Sequence, residues 1–197
     1  MNHPIVIVGS GLAAYMLAKE FRKHDKEQSL VIVTQSSGGY YSKPMLSTAL
    51  TKQQTAADLI MQSADSMAKQ LQATILTHAE VTKINREQKT IELGDREQPY
   101  SKLVLALGAK PIHIPFAGDA ADQLMRVNNI DDYALFRDWL NDKKHIAILG
   151  TGLVGCEFMN DLLNTQHQIT MIAPDATPLM QFLPESLGQA FQSPFLV

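Results

Sequence analysis

One pattern occurs twice in this 197-residue chain and limits its fold more than any other feature. Pro4-Ile5-Val6-Ile7-Val8 is a short β-branched run that ends in Gly9-Ser10-Gly11-Leu12-Ala13-Ala14. His145-Ile146-Ala147-Ile148-Leu149 ends in Gly150-Thr151-Gly152-Leu153-Val154-Gly155, 141 residues later. Such runs suit strands buried in a parallel sheet. Each glycine turn opens a predicted helix, from Leu12 to about His24 and from Leu153 to Asn164. A second strand then closes each βαβ unit, Leu30 to Thr34 in the first copy and Gln168 to Ile172 in the second. The spacing predicts an α/β fold with an internal duplication.

Between the two copies the pattern predicts a polar loop from Gln35 to Ser42, a helix over Ala56 to Gln72 and a short strand over Ala73 to Leu76. A hairpin is predicted from Val81–Asn85 and Thr90–Leu93, and a buried strand over Leu103–Leu107, which ends in Gly108-Ala109-Lys110-Pro111. A helix over Asp131 to Leu140 leads into the second copy. The domain boundary is expected in the Pro115–Asp122 loop, giving domains 1–117 and 118–197.

The turn carries a chemical expectation. The first glycine lets the chain leave the strand sharply, and the second lets backbone approach a pyrophosphate with no Cβ between them. The third position, Ala14 or Gly155, must be small so that helix and strand pack closely. The pyrophosphate then lies at a helix N-terminus, where N–H groups and the dipole favour negative charge. Each turn is therefore read as a dinucleotide site. The acidic residue usual at the end of the second strand is missing from both copies, replaced by Thr34 and Gln35 in one and Ala173 and Pro174 in the other. Asp175 is near enough in sequence to take that place. No Arg or Lys lies between Ile169 and Phe182, which disfavours a 2′-phosphate clamp and favours NADH over NADPH.

Composition excludes other classes. Seventeen Lys plus Arg against twenty Asp plus Glu give a net charge of -3, with no electrostatic reason to expect nucleic acid or a membrane surface as partner. With 45% hydrophobic and 19% charged residues the chain can bury a core. No apolar run reaches the ~20 residues a spanning helix needs, so no membrane insertion is expected. The opening MNHPIVIVGS lacks the features of a secretory signal, and a cytoplasmic location is expected. A single Cys, Cys156, rules out a disulfide framework, a CxxC pair and a thiolate zinc site; the six His stand singly, and no metal site is expected.

Two tandem dinucleotide turns, with strands and a hairpin between them, resemble the FAD-dependent pyridine nucleotide reductases. Three further segments carry the resemblance. Leu105-Ala106-Leu107-Gly108-Ala109-Lys110-Pro111 is similar to the strand-end motif that links the FAD and NAD domains. Gly155-Cys156-Glu157 matches the helix start of the NAD domain. Tyr41-Ser42-Lys43-Pro44-Met45-Leu46-Ser47 is similar to the flavin-contacting loop of rubredoxin and ferredoxin reductases. The SKPMLS form, with Thr34-Gln35 and the run Gly150 to Phe158, most resembles the rubredoxin–NAD(+) reductases.

The resemblance implies two Rossmann-like FAD/NAD(P)-binding domains, the second incomplete, and electron transfer from NADH through FAD to rubredoxin or a ferredoxin-like carrier. It implies FAD contacts from Gly9, Ser10, Gly11, Leu12 and Ala13 at the pyrophosphate, Thr34 and Gln35 at the ribose, Val81 at the adenine, and Lys43 at the flavin. Gly108 is counted among the cofactor-binding positions. Gly150, Gly152, Leu153 and Val154 would hold the NADH pyrophosphate, and Glu157 would face the cofactor junction. Lys43 and Glu157 are the catalytic candidates, although a solvated loop lysine and a helix-start carboxylate would look the same in isolation.

Two alternatives remain. An NADH oxidase, or the flavin module of a nitrite reductase, shares both glycine turns, but the flavin loop here has no Cys. The other is a truncated, non-catalytic fragment. The resemblance implies a chain of roughly twice this length, and both Gly-Asp pairs, Gly94-Asp95 and Gly118-Asp119, fall in polar loops away from the place where one would complete an FAD site. Ser193-Pro194-Phe195-Leu196-Val197 departs from the family pattern as an early stop or frameshift would make it. A half-built sheet is then expected to expose a strand edge and apolar faces.

Overall fold

The computed structural model describes residues 3–192, so the Ser193–Val197 departure lies outside the described residues. Contacts divide the chain into two units, one formed by Met1–Lys43 and Ile60–Asp131, the other by Pro44–Leu59 and Asp132–Val197.

The first unit is built on a parallel sheet. Strands β1 (Ile5–Val8), β2 (Leu30–Val33), β3 (Thr74–Leu76) and β7 (Lys102–Leu105) lie in the order β3-β2-β1-β7. Ile5 is in register with Leu30 on one side and with Lys102 on the other. The β-branched runs of β1 and β2 are explained by burial on both faces. On one face Ile7 and Ile32 meet Ala14, Tyr15 and Ala18 of α1 (Leu12–His24), with Met67 and Leu71 of α3 (Ala64–Leu71). On the other, Val6, Val8, Val31 and Val33 cluster with Ile91 and Tyr100. Ile91 belongs to an antiparallel sheet of β4 (Lys83–Asn85), β5 (Thr90–Leu93) and β6 (Arg96–Pro99). Arg22 fastens the end of α1 by donating to the carbonyls of Leu71, Asp25 and Gln28.

The second unit has the matching beginning. Strand β8 (His145–Leu149) pairs in parallel with β9 (Gln168–Ile172), from His145↔Gln168 to Leu149↔Ile172, with α5 (Leu153–Leu163) between them in sequence. Helix α4 (Ile130–Leu140) precedes them and α6 (Glu185–Gln192) follows. Tyr133, Phe136, Leu140, Ile146, Met159 and Leu162 are buried, and the Phe136 and Phe158 rings meet edge to face at 5.8 Å. Burial alternates along both strands, so one sheet face is covered while Leu149 and Ile172 on the other are 40% and 52% exposed. That outward face is mixed, because His145, Gln168 and Thr170 are exposed on it beside Ala147, Leu149 and Ile172.

Two expectations need correction, and the contact division differs from the expected domain bounds. The predicted helix over Ala56 to Gln72 is two helices, α2 (Ala56–Leu59) and α3. Tyr40 pairs with Gln62 across the gap, and the Ser63 hydroxyl accepts from Ser66 N, so α3 has its own N-cap. The predicted hairpin is a three-stranded sheet. Its extra strand, Arg-Glu-Gln-Pro, has no apolar alternation, and Pro99 is tolerated because β6 is an edge strand. Finally, the contacts do not divide the chain between 117 and 118. The change falls after Asp131, and residues 44–59 join the second unit, held there by side chains of α4 and α5.

Candidate functional site

The two glycine turns have nearly the same geometry. Gly9 and Gly150 have φ of +115° and +112°, a region open to glycine and strained for other residues. Gly9 N donates to Val33 O at 2.7 Å, and Gly150 N to Ile172 O at 2.8 Å. Gly11 and Gly152 are the N-caps of α1 and α5, with φ, ψ of -74°, -177° and -75°, -179°. A Cβ added to Gly11 or Gly152 would have no protein atom within 4 Å. Being glycines, they offer no capping side chain, and no acidic residue occupies the first turn of either helix. Open space beside an uncapped helix start suits an anionic phosphate.

The other glycines serve packing. A Cβ on Gly9 would lie 2.1 Å from Ala106 O, and one on Gly155 would lie 2.3 Å from Gly150 O. The first unit has Ala14, fully buried, where the second has Gly155.

In the first unit the Gly9–Ala13 turn and Thr34–Gln35 follow directly on β1 and β2 where these strands end beside β7, the edge at which parallel sheets bind ligands. Leu12 and Ala13 open α1 beside Gly11. Ser10 donates to Thr34 Oγ1 at 2.9 Å, and the Ser36 hydroxyl lies 3.0 Å from Thr34 Oγ1. The buried Thr34 hydroxyl thus belongs to a three-hydroxyl cluster, while Gln35 is exposed. Val81 packs partly buried on the valine face of the sheet. Gly108 has φ +68° and open space around it. Lys43 is exposed and donates to Asn128 Oδ1 at 2.7 Å; Asn128 in turn donates to Ala109 O at 3.1 Å. Asn128 and Ser36 were missed by sequence reading. Ser36 stands two residues after Thr34 and its N–H donates to the Thr34 hydroxyl, a local turn pattern that could have signalled it.

Tyr15 supports this region from below. It is fully buried, donates its hydroxyl proton to Gly38 O, and stands edge-on to Tyr40, whose ring carries Lys19 Nζ at 4.1 Å. Burial pushes the Tyr15 hydroxyl up to about 12.

In the second unit Leu153 and Val154 are exposed at the start of α5, beside Gly152. Glu157, one turn on, accepts from Ser47 Oγ at 2.6 Å. Asp161, a further turn along, is 2% exposed; its two carboxylate oxygens accept from Leu50 N and Thr51 N, each at 2.8 Å. Tyr133 of α4 donates to Gln54 O at 3.0 Å, and Arg137 donates to the same carbonyl. Burial raises the Tyr133 hydroxyl above its usual range, partly countered by Arg137. Cys156 is buried, its Sγ 3.4 Å from Thr151 O, and burial pushes its thiol up, which disfavours the reactive thiolate. Ser47 closes the SKPMLS run, which gave no sign of its bond to Glu157, and Asp161 belongs to no motif.

The sequence matches the profile of the family described as pyridine nucleotide-disulphide oxidoreductase over residues 3–195. The rubredoxin-NAD(+) reductase of Alcanivorax borkumensis is 45% identical over 188 residues, covering 95% of this chain and 49% of that protein. That of Acinetobacter baylyi is 43% identical, with 96% and 50% covered. A nitric oxide reductase FlRd-NAD(+) reductase of Vibrio vulnificus is 36% identical, with 95% and 49% covered. The chain thus spans about half the length of these curated relatives. Among solved structures, putidaredoxin reductase, in its covalent complex with putidaredoxin, superposes with a TM-score of 0.85 at 25% identity, covering 98% of this chain and 47% of that one. The NADH:rubredoxin oxidoreductase of Clostridium acetobutylicum shares the fold, with a TM-score of 0.82 at 20% identity over 98% of this chain and 50% of that one. No helix among the described residues is long and apolar enough to cross a membrane. A twice-used glycine turn on a Rossmann-like α/β fold, matched by the family profile along nearly its whole length, places this chain in the pyridine nucleotide-disulphide oxidoreductase family.

Proposed function

We propose that the chain is the FAD- and NADH-binding part of an oxidoreductase that passes electrons from NADH to rubredoxin or a similar one-electron iron carrier. The observation that carries this reading is the paired turn geometry, with both second glycines facing open space at an uncapped helix start. That space fits a pyrophosphate, and a side chain there would fill it. The rubredoxin-NAD(+) reductases at 43–45% identity support the choice of carrier.

FAD would lie on the first unit, held by Gly9, Ser10, Gly11, Leu12 and Ala13, with the Thr34 cluster, Gln35, Val81 and Gly108 around its nucleoside end. Bound there, it supplies the conversion of a two-electron donor into single electrons. NADH would take Gly150, Gly152, Leu153 and Val154. In this scheme the protein contributes orientation and charge. The helix starts bind phosphate, and Lys43 supplies a cation against negative charge that develops during reduction. Asn128 holds that ammonium in place. Glu157, fixed by Ser47, orients the nicotinamide end. A carrier reductase with no thiol in its flavin loop passes electrons outward without a protein disulfide, and Cys156, buried and weakly acidic, takes no part. The absence of Lys and Arg between Ile169 and Phe182 supports NADH as donor. A cytoplasmic location accords with this chemistry.

Titration of the purified chain with FAD tests the reading. Bound flavin, seen as quenched fluorescence and a structured visible band, is the expected result. Stopped-flow mixing with NADH, followed by rubredoxin or by oxygen, then separates a carrier reductase from an NADH oxidase. The half-length match to the relatives favours one second reading, a non-catalytic fragment. A chain that binds no FAD at any concentration would leave that reading standing.

A further inference from the structure

Asp161 sits in a position where a helix facing a core would ordinarily carry an apolar residue. It is 2% exposed, as buried as its neighbours Met159 and Leu162. A carboxylate in such a place is costly unless its lone pairs are filled. Each of its oxygens has a donor, and both donors come from a single dipeptide more than a hundred residues earlier: Oδ2 accepts from Leu50 N and Oδ1 from Thr51 N. Thr51 Oγ1 returns a bond to the Asp161 carbonyl at 3.2 Å. Glu157 lies four residues before it on the same face of α5 and accepts from Ser47. At 1.5 Å of rise per residue the two carboxylates are about 6 Å apart along the helix. The helix thus grips residues 44–59 at two points, and its N-terminus carries the second glycine turn.

We propose that Asp161 is a positioning residue, which fixes residues 44–59 to α5 so that the Ser47–Glu157 pair shares one rigid frame with the nucleotide turn at Gly150–Val154. The link to a nucleotide rests on the function proposed above; the clamp itself does not. NADH bound at the start of α5 would tighten the whole helix and, through Asp161, the backbone at 47–51. Asparagine cannot replace Asp161, because its amide group would turn N–H toward the N–H of Leu50 or Thr51. Glutamate keeps both oxygens on a stem one methylene longer.

Hydrogen exchange on the intact chain, with and without NADH, tests this. In the wild type the amides of Leu50 and Thr51 exchange slowly. In Asp161→Asn they exchange about tenfold faster or more, and trypsin cleaves sooner after the exposed Lys52. Asp161→Glu restores part of the protection, which a general packing defect would not allow. NADH protects the amides of 150–154 in both wild type and Asp161→Asn, but adds protection at 47–51 only in the wild type. Wild-type exchange at 50–51 in Asp161→Asn, or undiminished transmission from NADH, overturns the proposal. If Asp161→Asn does not fold, the wild type still decides, since unprotected Leu50 and Thr51 amides overturn it and protected amides with a response to NADH support it. NADH that leaves 150–154 unchanged in the wild type overturns the nucleotide reading and the transmission with it, and faster exchange at 50–51 in Asp161→Asn then upholds the clamp alone.

Discussion

The Ser47 hydroxyl lies 2.6 Å from Glu157 Oε2 and 3.1 Å from Pro44 O, so one proton serves two acceptors. The shorter contact is to the charged group, where a hydrogen bond is stronger. Ser47 is buried while Glu157 and Pro44 are both exposed, so water can reach the acceptors once the hydroxyl is removed. Ser47→Ala is expected to lower stability by about 1 kcal/mol. A urea midpoint shifted downward at unchanged slope would show it. An unmoved midpoint would mean that water replaces both bonds at no cost.

Lys43 is tethered through Asn128 to the loop that follows β7, at Ala109 O. If its cation stabilises charge that develops on reduction, Lys43→Met in the FAD-loaded protein slows reduction by NADH, and does so more than it weakens FAD binding. A tenfold or greater loss of rate, about 1.4 kcal/mol of barrier, is expected. Asn128→Ala keeps the cation but loosens it, and should give a smaller loss in the same direction. Stopped-flow absorbance reads both. Wild-type rates in Lys43→Met would remove the residue from the mechanism.

Tyr15 gives a pH signature. Its folded-state hydroxyl is raised to about 12 from an ordinary value near 10, because burial disfavours the phenolate. A raised pKa means that the folded state holds its proton where the unfolded state has lost it. The stability so contributed is complete below pH 10 and is lost as the pH rises toward 12. Tyr15→Phe loses the bond to Gly38 O and is expected to be less stable at neutral pH by about 1 kcal/mol. Its stability should then fall less steeply than the wild type's between pH 10 and 12. Equal slopes in denaturation series at those pH values would assign the alkaline transition to other groups.

Local chemistry was legible in the sequence and distant chemistry was not. The helix expected from Leu12 to about His24 is observed over those residues, and β8 and β9 have their expected bounds, because apolar runs and glycine turns act within a few residues. Strand β6 was missed because Arg96 to Gln98 shows no alternation; its place is set by register with β5. The division at Ile60–Ser63 depends on Tyr40, more than twenty residues earlier. The second unit's hold on residues 44–59 depends on Asp161 meeting two amides 110 and 111 residues away, which no local pattern encodes. At the candidate site, the glycines were readable from their spacing. The Thr34 hydroxyl is legible as a ribose candidate, and its engagement with Ser10 emerges only when β1 and β2 lie side by side.

The glycines provide the sharpest separation of folding from binding. A Cβ at Gly9 would lie 2.1 Å from the Ala106 carbonyl on a backbone at φ +115°, and one at Gly155 would lie 2.3 Å from the Gly150 carbonyl. Neither carbonyl is a flexible end that can move aside. Gly9→Ala and Gly155→Ala are therefore expected to destabilise their units by about 3 kcal/mol or more. Gly11 and Gly152 have ordinary φ and open space, so alanine costs only the weaker N-cap, about 1 kcal/mol or less. Alanine nevertheless places a methyl group where a pyrophosphate would approach. Gly11→Ala should stay folded and lose FAD affinity, and Gly152→Ala should stay folded and lose NADH affinity, each by at least about tenfold. Circular dichroism with ligand titration checks each pair. A Gly152→Ala chain that is folded and binds NADH as tightly as the wild type would show that the second turn, despite its geometry, does not hold a pyrophosphate.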